Sequence, residues 1–473
     1  MSVISIEEEH NYLVSHGTRP TGSIAHKKLI ERVAEKLTGI GLTVHRDTHN
    51  FTRWEVQKKD AVSLNIDGKS IPISSVFPYS GQTGPDGFKG KLIRVKGNKN
   101  KHWKKAKGAI AVFEVSHIEV PVNLLISSWD TTKIEGAIKN PLLSAMALGP
   151  KLRKAKRAGV LAVIAVWKGL SEEGAKSQYL PFTFPYQDIP AVWVAGESGN
   201  RIISAAKETR DANFTLNALL ETNCKTETIW AVVKGKRTDE TIIVSTHSDG
   251  VNIAEENGHL GLLKLAEQAM KQLNERTIVF AFITGHMHIP AVTDHGQAST
   301  AWLKNHPELW RGNKNEAKAV GALVIEHLGA REFKENSSGK YEATNKAEPE
   351  IIYATTTELN ILVRKTWKGV SDNTENVFKP SALIHFGEGE PLYENKIPAV
   401  ALVTAPSYLL AERNEEFVDL NIAKRQIESF SKLLFTFDAM PKGDFGKVKL
   451  PSVWSKLIMS LRVLRLMMQI KQF

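Results

Sequence analysis

Two apolar runs, each followed directly by polar side chains, are the most informative pattern in the chain. TIIVSTH, residues 241–247, and RTIVFAFI, residues 276–283, have the length and β-branched content of buried strands. The first run ends at His247 and Asp249, and the second leads into HMH at residues 286–288. Because ligands bind at the carboxyl ends of strands in an open parallel sheet, we expect the two strand ends to contribute to one site.

The remaining pattern alternates between helices and strands, except in one long stretch. After two candidate N-caps, Thr21 and Ser23, apolar residues from Leu29 to Leu37 recur at helical spacing until Gly39, and a strand at residues 42–46 is expected next. Short strands and turns then dominate up to about residue 207, where the alternation resumes. This order predicts an α/β fold, with a mixed, largely parallel sheet sandwiched by helices and an inserted strand-rich module. The predicted parts are residues 1–60, the insertion at 61–212, the main α/β domain at 213–440 and a basic tail at 441–473.

Length and composition are those of a globular chain with two or three domains. The 473 residues are 42% hydrophobic and 24% charged, and Cys224 is the only cysteine, which excludes an intramolecular disulfide and a thiolate zinc cluster. The N-terminus turns acidic at once, so secretion is not indicated and a cytoplasmic location is expected. Although the net charge is +11, the basic clusters at 96–107 and 151–157 match no nucleic-acid module, and we expect no nucleic-acid partner.

The C-terminal tail has no acidic residue after Asp444 and predicts an amphipathic helix. It is too short and too charged to span a bilayer, so no transmembrane segment is expected. Packing on its own domain or on a second subunit, as in a homo-oligomer, is the favoured interpretation, and peripheral membrane contact is the alternative. Its apolar residues are Trp454, Leu457, Ile458, Leu461, Leu464, Met467 and Met468, and its basic residues are Lys456, Arg462, Arg465 and Lys471.

The order of these pieces resembles the zinc aminopeptidase family that includes glutaminyl cyclases and carboxypeptidase-Q-like enzymes. The resemblance rests on RPTGS near the start, HSD at one strand end and RTIVFAF before another, and it covers roughly residues 8–438. The insertion resembles a protease-associated domain through GKLIRVKG, KAKRAGVLAVIAV and IPAVWVAGESGNRI. The resemblance implies a hydrolase of amide or peptide bonds that acts on a small molecule or short peptide.

Family members bind two zinc ions, and the resemblance implies which ligands this chain keeps. His247 matches the first histidine, Asp249 the aspartate that orients it, and Glu326 a later aspartate. His286 stands where the family has its general base. Three other ligand positions match Ala254, Met287 and Leu409, so a standard two-zinc site is not expected.

The ligand-type residues that remain predict a remodelled site for one zinc or other divalent metal. The candidate metal ligands are His247, His288, Glu326 and His327. The candidate acid, base and positioning groups are His286, Glu255, Glu256 and Asp249. Glu388, between two glycines, is a candidate for binding a cationic group of the substrate.

Each candidate also has a structural interpretation. Glu255 and Glu256 fit the acidic start of a helix, His288 a solvent-facing loop, His327 a core imidazole and Glu388 an exposed turn. Two further functions therefore stay open beside the metal-dependent hydrolase. One is a catalytically silent protein that binds and regulates, and the other is a metal-independent lyase, cyclase or isomerase that uses a histidine and a glutamate.

Overall fold

The computed structural model describes residues 4–56, 61–124, 126–130, 134–372 and 376–470, with backbone alone for 466–470. The predicted boundary at residue 60, the side chains of Met467 and Met468, and Lys471 lie outside this description.

A nine-stranded mixed sheet forms the centre of the larger part of the molecule. Strands are numbered along the chain. The spatial order is β1 (Val44–Glu55), β13 (Leu219–Val233), β15 (Arg276–Ile283), β14 (Arg237–His247), β16 (Lys318–Ile325), β21 (Ala399–Val403), β19 (Ile351–Ala354), β20 (Val377–Pro380) and β8 (Ile126–Ser128).

The four central strands β15, β14, β16 and β21 run parallel, so their carboxyl ends meet at one edge of the sheet. Alternate residues of β14 face opposite sides: Ile242 and Val244 belong to one hydrophobic core, and Ile243 belongs to another. Both faces are therefore covered, which explains why this run is apolar without alternation. The predicted α/β class is confirmed.

Helices cover the two faces of the sheet. Residues of α1, α2, α8 and α12 contribute to the core on one face, and residues of α9 and α11 to the core on the other. The predicted helix after Ser23 is α2, whose first turn is capped by the Ser23 hydroxyl. The helices of this part are α1 (Ile6–His16), α2 (Ile24–Gly39), α8 (Gly258–Met270), α9 (Ala298–Asn305), α10 (Thr357–Thr366), α11 (Glu390–Glu394), α12 (Leu420–Ala439) and α13 (Val453–Ile470).

An eight-stranded sheet forms a module whose strands lie between Val62 and Leu216, whereas the predicted insertion covers residues 61–212. Hydrophobic clusters pack on both of its faces, around Trp103 and Trp193 on one side and Leu64 and Phe214 on the other. Its spatial order is β3 (Lys69–Ser70), β2 (Val62–Ile66), β12 (Asp211–Leu216), β5 (Phe88–Val95), β6 (Ile110–Ser116), β10 (Ala162–Lys168), β11 (Ala191–Val194) and β4 (Ser75–Val76). Its helices are α3 (Asn100–Trp103), α4 (Leu142–Leu148), α5 (Leu152–Arg157), α6 (Glu172–Ala175) and α7 (Gly196–Lys207).

The inserted segment also reaches into the larger sheet, because β8 pairs with β20 at its edge. Two small antiparallel sheets of two strands each complete the described strands: β7 (Val120–Pro121) with β9 (Ala137–Ile138), and β17 (Arg331–Glu335) with β18 (Tyr341–Ala347). The predicted domain boundaries and the likeness of the module to a protease-associated domain stay predictions.

The tail forms α13, as predicted, and its apolar side chains are largely exposed, with Trp454 at 74% and Leu461 at 56%. Within the described part of the chain, no helix has both the length and the apolar character that a bilayer crossing requires.

Candidate functional site

The carboxyl ends of three neighbouring strands bring the predicted side chains together. His247 is the last residue of β14, beside Ile283 at the end of β15, and Glu326 directly follows β16. Gly285 turns the chain after β15 with a φ of 100°, a conformation that favours glycine, and His286 follows it. Gly258 lets α8 begin against the same edge, because a Cβ there would lie 2.0 Å from the carbonyl oxygen of Ile325.

Four of the predicted side chains lie close together. His247 Nε2 lies 3.9 Å from Glu255 Oε1 and 3.7 Å from Glu326 Oε2. The ring of His286 stacks on that of His247 with centroids 4.1 Å apart, and His286 Nε2 is 3.7 Å from Glu255 Oε1. All four side chains are buried. We call His247, Glu255, His286 and Glu326 the central cluster.

The loop before α8 holds Glu255 in place through Asn252. The Asn252 Oδ1 accepts the backbone N–H groups of Ala254 and Glu255 at 2.9 Å, and its Nδ2 donates to the carbonyl oxygen of Leu409 at 2.8 Å. Asn252 therefore ties the central cluster to the loop after β21. Sequence reasoning missed this residue, because an asparagine in a polar loop gives no signal of a distant backbone partner.

The carboxylate of Asp249 holds the turn that presents His286. It accepts the backbone N–H groups of Gly285, His286 and Met287 at 2.9–3.2 Å, and the hydroxyl of Thr21 donates to it. Its expected role of orienting His247 falls instead to its own backbone oxygen, which lies 2.9 Å from His247 Nδ1. Asp249 thus positions His286 through its carboxylate and His247 through its backbone oxygen.

His286 forms a buried ion pair with Glu388. The Nδ1 of His286 lies 2.6 Å from Glu388 Oε1, and Glu388 Oε2 accepts the backbone N–H of Ser299 at 2.7 Å. Burial by itself lowers the pKa of His286, but the hydrogen bond and the charge of Glu388 outweigh it and raise this pKa to about 10. Burial raises the pKa of Glu388, whereas the bond from His286 lowers it, to about 2.

This placement corrects the substrate-binding role predicted for Glu388. Its side chain is fully buried, and its oxygens are already occupied by N–H donors of His286, Ala298 and Ser299. A substrate cation would have to displace these donors. Glu388 instead fixes the orientation and the charge of His286.

The two carboxyl groups of the central cluster have raised pKa values. Burial raises the pKa of Glu255 well above its usual range and that of Glu326 to about 8. Glu255 Oε1, Glu326 Oε2 and His247 Nε2 are buried and lack a hydrogen-bond partner among the described residues. His247 Nε2 therefore lies close to two unsatisfied carboxyl oxygens, and buried polar atoms in this state need either a proton or a cation.

Two of the predicted residues lie elsewhere. Glu256 pairs with the buried Arg19 at 3.3 Å and with His259 Nδ1 at 2.8 Å, so it stabilises the start of α8. The ring of His288 stacks on Tyr79 with centroids 3.5 Å apart, and burial lowers its pKa to about 3. His288 is buried, so it is not the solvent-facing loop residue of one interpretation. It also belongs to neither set of described residues that could hold an ion, so the structure does not support the other interpretation, a metal ligand.

In each of two sets of three residues, the ligand-type atoms lie within 4.8 Å of one another. One set is His247, Glu255 and His286, and the other is His247, Glu326 and His327. His327 has a φ of 54°, and its Nδ1 accepts the backbone N–H of Thr404 at 2.9 Å.

A cavity of about 300 Å³ opens onto the central cluster. Glu255, His286, Glu326 and His327 line one end of it. The rest is mostly apolar, and part of it comes from the inserted segment. The apolar lining includes Leu142, Leu143, Met146, Phe182, Ile384, Leu409 and Leu410.

The fold is that of bacterial zinc aminopeptidases. A zinc aminopeptidase from Bacillus subtilis superposes with a TM-score of 0.61 at 14% identity, over 94% of this chain and 98% of that one. An aminopeptidase from Aneurinibacillus gives 0.60 at 14% identity, over 95% and 96% of the two chains. A peptidase M28 precursor from Shewanella amazonensis gives 0.62 at 13% identity, over 94% of each chain.

No protein-family model matches the sequence, and a search of curated proteins finds no match either. The fold predicted from the resemblance to zinc aminopeptidases is therefore confirmed by structural similarity rather than by sequence similarity.

Proposed function

We propose that this protein hydrolyses amide or peptide bonds in small substrates that carry an apolar group, and that it uses one divalent metal. The ion, zinc or one of similar preference, would be held by His247, Glu255 and Glu326. The observation that carries the proposal is the position of His247 Nε2, a buried atom without a partner among the described residues, which lies 3.9 Å from Glu255 Oε1 and 3.7 Å from Glu326 Oε2, two further buried atoms without partners.

The chemistry of these donors fits a divalent ion. His247 Nδ1 faces a backbone carbonyl oxygen, so Nδ1 carries the proton and Nε2 offers its lone pair. Two carboxylates supply the negative charge that compensates a dication, and three protein ligands with one further position is the usual composition of a catalytic zinc site. Such an ion, when bound, polarises a carbonyl group and makes a water molecule more acidic.

His286 is the group in the site that is suited to moving a proton. Its Nδ1–H is committed to Glu388, and its Nε2 faces Glu255 and the cavity. The ion pair keeps the ring charged, so Nε2 holds a second proton that it can donate to the leaving nitrogen of an amide. Glu388 and Asp249 act through His286 as positioning residues.

The cavity supports a small substrate with an apolar group. Its volume of about 300 Å³ is at the lower end for ligand pockets, and leucine, isoleucine, phenylalanine and methionine side chains make up most of its wall. A folded protein cannot enter such a space, whereas a short peptide or an acylated small molecule can place one apolar side chain there.

Elemental analysis of the purified protein, with turnover of a panel of aminoacyl and N-acyl arylamides, tests the proposal. We expect one metal per chain, loss of turnover on chelation, recovery with zinc, and faster cleavage of leucyl than of lysyl substrates. His247→Ala should lose the metal, while His295→Ala, at an exposed histidine, should keep it. A metal-free wild type whose turnover ignores the chelator would refute the metal-dependent function, and two metals per chain would show that ligands were missed.

The ion pair of His286 with Glu388 also favours a second candidate, a metal-independent lyase, cyclase or isomerase. Without a cation, Glu255 and Glu326 take up protons because burial raises their pKa values, and the site then contains one charged imidazole and two neutral acids. That set suits proton transfer to and from carbon or nitrogen. Turnover that persists in chelator and disappears in His286→Asn would favour this second function.

A further inference from the structure

The tautomer of His327 is set by a single hydrogen bond. Its Nδ1 lies 2.9 Å from the backbone nitrogen of Thr404, and a backbone amide can only donate. Nδ1 must therefore present its lone pair, and the ring proton must be at Nε2. The opposite tautomer, or a ring protonated at both nitrogens, would place two donors against each other.

This tautomer is unsuited to binding a metal. A histidine that ligates through Nε2 needs the lone pair of that atom, which requires the proton to be at Nδ1. His247 meets the requirement, because its Nδ1 faces a carbonyl oxygen at 2.9 Å. His327 is the opposite case, although its Nε2 lies close enough to His247 and Glu326 to resemble a ligand.

His327 also belongs to the wall of the cavity. The ring lines the polar end of that cavity, beside Glu326 and Glu255. The nearest acceptor recorded for Nε2 is Glu326 Oε2 at 4.0 Å, beyond hydrogen-bonding distance, and no hydrogen bond to Nε2 occurs within the described ranges. The side chain is only 7% exposed, so this donor lies in a largely water-free environment.

The surrounding backbone holds the ring in place. The next residue, Leu328, donates its N–H to Asn257 Oδ1 at 2.7 Å and accepts from Asn257 Nδ2 at 2.7 Å. Together with the Thr404 contact, these bonds fix the turn after β16 from two sides. A hydrogen-bond donor held in a fixed position stabilises the negative charge that develops during a reaction effectively, because it does not have to rearrange.

We infer that His327 donates a hydrogen bond from Nε2 to the carbonyl oxygen of the scissile amide and does not ligate the metal. When a nucleophile adds to the carbonyl carbon, the π electron pair moves onto that oxygen, and the hydrogen bond stabilises the negative charge without transfer of the proton. This inference rests on the proposed hydrolase function, and it makes His327 a catalytic residue.

The test combines metal content, kinetics and NMR on the full chain. His327→Ala and His327→Gln should both keep one metal per chain, whereas His247→Ala should lose it. His327→Ala should lower kcat about 10²–10³-fold, the usual effect of removing one such donor. His327→Gln, whose amide N–H can reach the same space, should recover part of that loss, and KM should change little in either variant.

Nitrogen-15 histidine spectra of the wild type, assigned by the resonance missing in His327→Gln, should show the Nε2–H tautomer. A proton at Nδ1, loss of metal from both variants, or a kcat within about threefold of the wild type in His327→Ala would overturn the inference. Failure of the proposed function is distinguishable, because it would appear in the wild type, as a protein without metal or without chelator-sensitive turnover.

Discussion

Replacing Glu388 by glutamine gives a sharp test of the buried pair that orients His286. The substitution keeps the shape of the side chain but exchanges one oxygen for an NH2 group. In the native protein both oxygens face donors only: Oε1 faces His286 Nδ1 and the N–H of Ala298, and Oε2 faces the N–H of Ser299. Whichever way the amide turns, one donor meets another donor, so one buried hydrogen bond is lost.

The loss of stability expected for Glu388→Gln follows from the burial of both charged groups. A hydrogen bond to a charged group contributes about 1.5–3 kcal/mol, and removing one partner of a buried ion pair costs about 3–5 kcal/mol. The rise in the pKa of His286 to about 10 includes contributions from Glu255 and Glu326, so it overstates the pair alone. Because glutamine can still accept from one donor, we expect Glu388→Gln to lower the free energy of unfolding by about 2–4 kcal/mol.

The pH dependence of this loss of stability shows whether the ion pair between His286 and Glu388 causes it. The pKa of His286 is raised, so its stabilisation is complete below the ordinary value of 6.5 and is lost as the pH rises through about 10. The pKa of Glu388 is lowered, so its stabilisation is complete above 4.5 and is lost as the pH falls through about 2. The difference between wild type and variant should therefore be largest between pH 4.5 and 6.5.

Thermal unfolding of chelator-treated protein, followed by circular dichroism from pH 5 to pH 9, measures this difference without a contribution from a bound ion. Glu394→Gln, at an exposed position of α11, is the matched control and should melt with the wild type. Equal melting temperatures for Glu388→Gln and wild type near pH 5.5, or a difference that widens above pH 6.5, would refute the ion-pair account.

Three further predictions separate the roles of neighbouring residues. Glu255→Gln should weaken metal binding at least tenfold without loss of stability. Glu256→Gln should keep the metal but lower the free energy of unfolding by about 2–4 kcal/mol, because it breaks the contacts with Arg19 and His259. If metal content and thermal melting give the reverse pattern, the two roles are exchanged. His286→Asn retains an N–H that can face Glu388, so the variant should fold normally. Because it lacks Nε2, its kcat should fall about 10²–10⁴-fold. Near-normal turnover would disprove the proton-transfer role. Met146→Trp places an indole in the cavity wall, so KM for leucyl substrates should rise while metal content stays unchanged. An unaltered KM would mean that substrates bind elsewhere.

The sequence predicted which strands end at the site, because buried parallel strands and the polar residues that follow them leave a clear pattern. It could not predict which of two adjacent glutamates faces the cluster. Neighbouring residues in a turn point in different directions, and here Glu255 faces inward while Glu256 meets Arg19. His288 follows the same rule, since its extended backbone, with φ of −158°, turns its ring toward Tyr79.

The edge of the large sheet and the cavity wall were less predictable from the sequence than the central strands. The strand expected at residues 42–46 extends from Val44 to Glu55, because pairing with β13 continues through polar residues that carry no hydrophobic pattern. The apolar wall of the cavity was also hidden, since it combines residues of the inserted segment with residues more than 200 positions later in the chain.

The proposal of one ion rather than two rests on the three positions that the resemblance matches to family ligands, Ala254, Met287 and Leu409. Ala254 and Met287 are buried in hydrophobic clusters, and Leu409 lines the cavity. The unsatisfied atoms of Glu255 and Glu326 both lie close to His247 Nε2, at 3.9 and 3.7 Å. A second dication beside Met287 and Leu409 would meet thioether and aliphatic groups, which compensate neither its charge nor its lost hydration. Of these three side chains, Leu409 also belongs to the apolar wall of the cavity, where it favours a substrate with an apolar group.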